Sequence, residues 1–249
     1  MQATEISPGL VIQGFTPPLN LSNFKLIAFD MDSTLINIEC IDEIADAAGR
    51  KAEVSAITEA AMRGEITDFK DSLRRRLALL EGVSVASMEA VYAERLQINP
   101  GAKALIDACK AAGMKVLLVS GGFTFFADRV KEALGIDYAK ANVLEVKDGK
   151  LTGRLIMQPW GEICDGEEKR LTVAATCADL GVTPAQAIAM GDGANDLPMM
   201  KLCEEAGGLS VAYHAKPKVR VQAMVAINSG GLDRLLSVFT PNLHPINSN

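Results

Sequence analysis

Short apolar runs alternate with longer amphipathic stretches along most of the chain. The runs are KLIAF (25–29), KVLLV (115–119), QAIAM (186–190), GLSVA (208–212) and MVAI (224–227). Nearly continuous hydrophobicity over four or five residues is typical of strands that are covered on both faces. The amphipathic stretches predict helices at 100–112, 123–134, 167–180, 195–205 and 231–238. This alternation predicts an α/β fold with a Rossmann-like, three-layer parallel sheet.

One interval interrupts the alternation. The first and second predicted strands are separated by far more residues than an ordinary crossover needs, and residues 40–97 carry helical patterns without a convincing strand. We predict three helices there, forming an inserted helical cap at 37–97. The catalytic core would then consist of residues 1–36 and 98–249.

Two further patterns refine this division. In DFKDSLRRRLALL, one helix face carries Phe69, Leu73, Leu77 and Leu80, which is the spacing of an amphipathic helix. Farther along, NVLEVKDGKLTGRLIM predicts a small β-hairpin insertion with its turn at Asp148-Gly149.

Composition narrows the classes of function. The chain has 249 residues, is 49% hydrophobic and carries a net charge of -6, which gives no reason to expect nucleic acid or an anionic membrane as a partner. No apolar run approaches the roughly 20 residues needed to cross a bilayer, and the first residues lack a signal-peptide pattern. We therefore expect a cytoplasmic protein. The five cysteines are scattered without C-x-x-C spacing, which favours buried thiols over a zinc site or disulfides.

Polar loops follow three of the predicted strands. DMDST places Asp30 and Asp32 after the first strand, SGG places Ser120 and Gly121 after the second, and GDGAND begins its acidic run at Asp192 after the third. Because parallel strands place their carboxyl ends at one edge of the sheet, these loops should converge there.

The three loops together supply the parts of a phosphoryl-transfer site. Ser120 offers a hydroxyl, and the glycines after it let backbone N–H groups approach an anion. Asp30 and Asp192 provide the oxygen ligands that Mg²⁺ prefers. Asp30 as a nucleophile would form an aspartyl-phosphate, while Asp32 would protonate the leaving oxygen and then activate water.

Each loop has a simpler interpretation when taken alone. Asp-x-Asp and Ser-Gly-Gly occur in ordinary turns, and short motifs carry a high false-positive rate. GDGAND fails the dinucleotide pattern because Asp196 stands at its last glycine position, and neither acidic loop fits an EF-hand. It is the shared position after three strands that favours catalysis.

At the level of whole motifs, the sequence resembles the haloacid dehalogenase superfamily and, within it, the phosphoserine phosphatases. The stretches that carry the resemblance are FDMDSTLINIECIDEIADAAG, AMRGEITDFKDSLRRR, LVSGGFTFF, ANVLEVKDGKLTG and MGDGANDLPMMKLCEEAGGLSVAYHAKP. D-x-D-S-T together with G-D-G-x-N-D is strong for the superfamily. The Glu39 context, the arginine-rich helix and S-G-G-F favour the phosphoserine branch.

The resemblance implies roles for the core residues. Asp30 would be the nucleophile and Asp32 the acid and base. A Mg²⁺ ion would be held by Asp30, the Asp32 main-chain carbonyl and Asp192, with Asp196 supporting this shell. Phosphate or substrate contacts are implied for Ser120, Gly121, Lys169 and Asn195.

In the cap, the resemblance implies a pocket for the substrate's amino-acid end. Glu39 would face the amino group and Arg76 would hold the carboxylate, for which a bidentate guanidinium is well suited. Met62 and Phe69 would line the pocket as apolar residues. The two arginines before Arg76 are expected to form a solvated helix face.

These patterns predict Mg²⁺-dependent hydrolysis of O-phospho-L-serine through an aspartyl-phosphate, as a step of serine biosynthesis. Two alternatives use the same residues: transfer of the phosphoryl group to another alcohol such as homoserine, and hydrolysis of a different small phosphomonoester. A phosphorylated signalling receiver would not need so long a helical cover, and a binding protein without activity would not need a full catalytic set. The expected partner is a small phosphomonoester, without nucleic acid or membrane, and a homodimer is left open.

Overall fold

The structure is a computed structural model that describes residues 3–62 and 65–240, without the side chains of residues 61 and 62. Its strands are β1 (Thr4–Ser7), β2 (Leu10–Ile12), β3 (Leu26–Phe29), β4 (Lys115–Phe123), β5 (Tyr138–Asn142), β6 (Leu144–Lys147), β7 (Lys150–Leu155), β8 (Ala187–Gly191), β9 (Leu209–Tyr213) and β10 (Val225–Ile227).

The α-helices alternate with these strands or interrupt them. They are α1 (Cys40–Ala47), α2 (Lys51–Met62), α3 (Phe69–Ala78), α4 (Val85–Glu94), α5 (Ala102–Ala111), α6 (Thr124–Leu134), α7 (Gly166–Asp179), α8 (Leu197–Ala206) and α9 (Pro217–Arg220). Within the described ranges, no helix is long and apolar enough to cross a membrane.

Eight strands form the central sheet in the order β1-β2-β10-β9-β8-β3-β4-β5. The six strands from β10 to β5 run parallel to one another. Side chains of β3 alternate between two apolar clusters: Ile27 and Phe29 belong to one, and Leu26 and Ala28 to the other. Both faces of the sheet are therefore covered, which confirms the predicted α/β class with its parallel sheet.

The sheet is wider than the sequence pattern predicts. β1 and β2 form an antiparallel extension on one edge, and β5 forms the other edge. β1 and β5 escape prediction because partly exposed edge strands need no continuous apolar run, and β2 escapes it because it has only three residues. The segment Leu232–Val238, predicted as a helix, is a 3₁₀-helix. Its buried residues are spaced by three, which matches three residues per turn.

Within residues 40–97, where three helices were predicted, the chain forms four, α1 to α4. The two connections to these helices run side by side, because Ile36 and Ile98 form an isolated antiparallel bridge. Asn99 Nδ2 donates to the carbonyls of Thr34 and Ile36, at 2.8 and 3.0 Å. The division into a core and a cap at 37–97 stays a prediction of the sequence.

The predicted hairpin is present as β6 and β7, with its turn at Asp148 and Gly149. It contacts the connection between α3 and α4 through three backbone hydrogen bonds. Gly82 N donates to Leu151 O at 2.8 Å, Leu151 N to Val83 O at 2.8 Å, and Val85 N to Gly149 O at 2.9 Å. We call these three bonds the seam. The hairpin thus supports the helices that precede it by some 70 residues.

Candidate active site

The carboxyl ends of β3, β4 and β8 open into one cavity of about 480 Å³. The three strands are neighbours in the sheet, so the loops that follow them meet as predicted. α1 and α3 cover the cavity from the other side, and it contains polar groups from both directions.

Asp30, which lines the cavity, belongs to a buried group of three charged side chains. Lys169 is fully buried, and its Nζ lies 2.7 Å from Asp30 Oδ1 and 2.7 Å from Asp196 Oδ1. Burial alone would lower the pKa of Lys169, but the two carboxylates outweigh it and raise that pKa. Arg170, the next residue, pairs with Glu167 on the outside of α7. Lys169 is thus the cation that α7 brings to Asp30.

Lys169 reaches this place because of how α7 begins. Asp165 caps the helix by accepting a hydrogen bond from Glu168 N at 2.9 Å, and side-chain caps of this kind fix where a helix starts. The cap sets the helical register, and that register turns Lys169 inward and Arg170 outward.

Three carboxylates could hold a metal ion. One oxygen from each of Asp30, Asp192 and Asp196 lies within 4.8 Å of the others. Burial, Asp196 and Glu39 raise the pKa of Asp192 to about 7, and burial followed by Asp196 raises the pKa of Asp30 despite Lys169. Such crowded oxygen ligands fit Mg²⁺, whose charge would offset their repulsion.

Asp196 supports this group rather than facing the cavity. Its Oδ2 accepts hydrogen bonds from Asp192 N and Gly193 N, at 3.1 and 3.0 Å, and its Oδ1 accepts from Lys169. A Cβ at Gly191 would come within 2.3 Å of Asp196. Only glycine therefore lets the loop after β8 close around this carboxylate.

Asp32 is half-buried and contacts the first residue of α1. Cys40 N donates to its Oδ2 at 3.0 Å, and the Cys40 thiol donates to its Oδ1 at 3.2 Å. Burial and the nearby Glu39 carboxylate raise the pKa of Asp32 to about 7. Ser33, in the next position, has a left-handed φ of 57°, which turns the chain back toward α1.

β4 continues to Phe123, so Ser120 lies within the carboxyl-terminal part of the strand rather than after it as predicted, and it is fully buried. Its Oγ accepts a hydrogen bond from Gly122 N at 2.9 Å. Asn142, at the end of β5, fixes this end of β4 by donating to Gly121 O at 2.7 Å and accepting from Cys164 N at 2.7 Å. Sequence patterns missed Asn142; a lone asparagine ending a short polar strand gave no signal.

Several further residues named from the sequence are brought together at the cavity. Glu39, Phe69 and Arg76 line the cavity, as do Asn195 and Gly121. Ser33 Oγ donates to Glu39 Oε1 at 2.6 Å. Burial lowers the pKa of Arg76, whereas Asp42 and Glu39 favour its charged form. Phe69 is about one-third exposed, at 36%, because it faces the cavity rather than the apolar core.

Two predictions about the cap need comment. Met62 ends α2, and its side chain lies outside the described residues. The two arginines at 74 and 75 are exposed as predicted, but both form ion pairs: Arg74 with Glu162 and Arg75 with Asp71.

Lys216 also lines the cavity and was missed by sequence patterns. It follows β9, and its backbone N donates to Asp192 O at 3.3 Å. The signal that could have found it is its position: β9 neighbours β8 in the parallel sheet, so the loop after it opens at the same edge.

Comparison with known proteins gives a consistent result. Residues 27–201 match the family described as haloacid dehalogenase-like hydrolase. The phosphoserine phosphatase of Polaromonas sp. strain JS666 is 73% identical over 96% of this chain and 99% of that protein. The phosphoserine phosphatase of Idiomarina loihiensis is 48% identical over 85% of this chain and 91% of that protein.

Solved structures of similar proteins have the same fold. One, described as a phospho-aspartyl intermediate analogue of phosphoserine phosphatase, has a TM-score of 0.77 and 40% identity, covering 87% of this chain and 99% of that chain. Another, described as a substrate-bound phosphoserine phosphatase complex, has a TM-score of 0.77 and 39% identity with the same coverage.

Proposed function

The chain belongs to the haloacid dehalogenase-like hydrolase family, among its phosphoserine phosphatases, and we propose that it hydrolyses O-phospho-L-serine to L-serine and phosphate. The observation that carries this proposal is that Asp30 and Asp32 line one cavity together with the oppositely charged Glu39 and Arg76. Asp30 is buried against Lys169, while Asp32 is half-buried with a pKa raised to about 7. Such a pair can divide the nucleophile and acid roles.

In the first step, an oxygen of Asp30 attacks phosphorus as the bond to the serine oxygen breaks. Asp32 donates its proton to the departing oxygen, so L-serine leaves as a neutral alcohol. Lys169 lies 2.7 Å from Asp30 Oδ1 and would offset charge on the nucleophile and phosphate. Ser120 and Asn195 would orient the phosphate oxygens.

In the second step, Asp32 accepts a proton from water, whose oxygen attacks the aspartyl-phosphate. The new bond releases phosphate and restores the Asp30 carboxylate. A Mg²⁺ ion on Asp30, the Asp32 carbonyl and Asp192 would act as a Lewis acid that stabilises charge on the transferring group.

Specificity for phosphoserine would come from Glu39 and Arg76. They line one cavity with opposite charges, which complements the ammonium and carboxylate of an amino acid. Phosphomonoesters without these groups would bind less tightly. Serine biosynthesis would follow from this substrate, while a cytoplasmic location and a homodimer stay predictions of the sequence.

The test is phosphate release, with Mg²⁺, from phosphoserine beside phosphothreonine, sugar phosphates and p-nitrophenyl phosphate. We expect a strong preference for phosphoserine, loss of all activity in Asp30→Asn, and at least a tenfold rise in the KM for phosphoserine in Arg76→Ala. Arg75→Ala is the matched control, because Arg75 pairs with Asp71 on the outside of the same helix.

Homoserine added as an acceptor separates hydrolysis from transfer. Phosphohomoserine formed at the expense of phosphate would favour the transferase. Asp30-dependent activity on other esters alone would contradict the substrate but leave the mechanism, and activity that survives Asp30→Asn would contradict the mechanism.

A further inference from the structure

Cys40 makes two hydrogen bonds to one carboxylate. As the first residue of α1 it is fully buried, yet its sulfur does more than fill space. The backbone N–H donates to Asp32 Oδ2 at 3.0 Å, and the thiol donates to Asp32 Oδ1 at 3.2 Å. Among the hydrogen bonds of the described residues, this is the one that uses a cysteine sulfur.

The thiol is the donor of this bond, because an ionised carboxylate can only accept hydrogen bonds, and a thiol is a weak donor to so strong an acceptor. With the backbone N–H alone, the carboxyl group could still turn about its terminal torsion, which has a broad energy profile. Two donors fix the plane of the group.

We propose that Cys40 is a positioning residue for protonation of the leaving group, an inference that rests on the proposed function. Its thiol holds the Asp32 carboxyl plane so that the acid proton faces the departing serine oxygen. In the step concerned, the Asp30 oxygen–phosphorus bond forms, the phosphorus–serine oxygen bond breaks, and the Asp32 proton moves to that serine oxygen. The Cys40 S–H bond stays intact throughout, so no oxidation or reduction is involved.

The inference predicts an effect that depends on the leaving group. The serine alkoxide is a poor leaving group and must be protonated as it departs, whereas p-nitrophenolate can depart without a proton. In Cys40→Ala we expect kcat/KM for phosphoserine to fall about three- to tenfold, a fraction of the general-acid contribution. We expect kcat/KM for p-nitrophenyl phosphate to change less than twofold. The KM for phosphoserine should stay constant, because Cys40 is not among the residues that line the cavity.

Cys40→Ser keeps a donor of similar size. It should therefore restore most of the ratio of kcat/KM for phosphoserine to kcat/KM for p-nitrophenyl phosphate. Cys109→Ala is the matched control: it truncates another buried cysteine, in α5, and should leave the ratio unchanged. If Cys40→Ala fails to fold, Cys40→Thr and Cys40→Val provide the comparison instead, because the two side chains have similar shapes and only Thr has a hydroxyl donor.

Equal losses on both substrates, or an unchanged ratio in Cys40→Ala and Cys40→Val, would overturn the positioning role while leaving the phosphatase intact. A parent protein without Asp30-dependent hydrolysis of phosphoserine would overturn the proposed function and this inference together. The two failures are therefore distinguishable in one set of assays.

Discussion

At the scale of single residues, the site is governed by a buried cation between two buried carboxylates. Lys169 bonds to Asp30 and Asp196, and all three are nearly or fully inaccessible. Removing one partner of a buried ion pair leaves uncompensated charge, which is far more damaging than losing a surface pair. Lys169 therefore serves stability and, in the proposed mechanism, catalysis.

Replacement of Lys169 by Met should affect both properties. We expect kcat to fall at least about 100-fold and the free energy of unfolding, without Mg²⁺ at pH 8, to fall by about 3–5 kcal/mol. The loss of stability should shrink at lower pH, because the pKa of Asp30 is raised and its protonation removes the uncompensated charge. Steady-state kinetics and urea unfolding measure the two effects. Arg170→Met is the control, because this half-buried neighbour pairs with Glu167 outside the site. Equal effects of the two substitutions would contradict the site.

The raised pKa of Asp32 sets a second expectation at this scale. Since the acid must be protonated to act, kcat/KM for phosphoserine should fall as pH rises through about 7. The Glu39 carboxylate helps to raise that pKa, so Glu39→Gln should lower it and move the alkaline decline to lower pH. A pH series measures the shift, and p-nitrophenyl phosphate is the control substrate. An unmoved decline in Glu39→Gln would exclude Asp32 as its source.

At the scale of elements, two ion pairs link α3 to the segment around the start of α7. Arg74 bonds to Glu162 through Nη2 and Nε, at 2.9 and 3.2 Å, and Lys70 pairs with Asp165 at 3.2 Å. Asp165 also caps α7, the helix that carries Lys169. These contacts link the position of α3 to the catalytic cation, although each pair is partly exposed and individually weak.

A charge exchange tests this link. Arg74→Glu should raise the KM for phosphoserine about two- to fivefold, because the repelled α3 no longer covers the cavity, and adding Glu162→Arg should restore it. The coupling energy from the double-mutant cycle should be about 0.5 kcal/mol and should fall in 0.5 M salt. Arg75→Glu, whose partner lies in α3 itself, is the matched control. An exchange that fails to restore the KM would contradict the link.

Elements differ in how well the sequence predicts them, for physical reasons. β3 and β8 are buried on both faces, so each of their residues must be apolar, and the pattern is unmistakable. β5 has two buried residues at its end and the polar sequence YAKAN, so nothing in it indicates a strand. The predicted number of helices at 40–97, three instead of four, was wrong because only Ala48, Gly49 and Arg50 separate α1 from α2.

At the scale of the whole molecule, the convergence of three loops was predictable while the contacts between them were not. Strand order alone brings Asp30, Ser120 and Asp192 to one edge. The bond from Cys40 to Asp32 depends on the left-handed φ of Ser33, and Asn142 acts through a backbone carbonyl. Backbone turns and side-chain-to-backbone bonds leave no periodic signal in a sequence.

Metal binding should stabilise the entire fold in a pH-dependent way. Mg²⁺ competes with protons for Asp30 and Asp192, whose pKa values are raised, so its affinity should increase as pH rises through about 7. We expect the increase in Tm caused by 5 mM Mg²⁺ to be larger at pH 8 than at pH 6. Differential scanning calorimetry measures this.

The control variants for that measurement are two Asp→Asn substitutions. Asp192→Asn should abolish the Mg²⁺-dependent increase in Tm. Asp107→Asn, at a surface residue of α5 paired with Lys103, should leave it intact. An increase that is the same at both pH values would contradict the assignment of the metal to these carboxylates.

The seam between β7 and the α3–α4 connection has a consequence for protein engineering. Exchanging cap modules between related hydrolases is an attractive route to new substrates, and the natural cut points would be the paired linkers at Ile36 and Ile98. Here such a graft would leave the backbone N–H groups of Gly82 and Val85 and the carbonyl of Val83 without the hairpin partners that they now have. Unpaired backbone groups, when buried, destabilise the fold. The transplantable unit is therefore discontinuous: the helices together with residues 144–155.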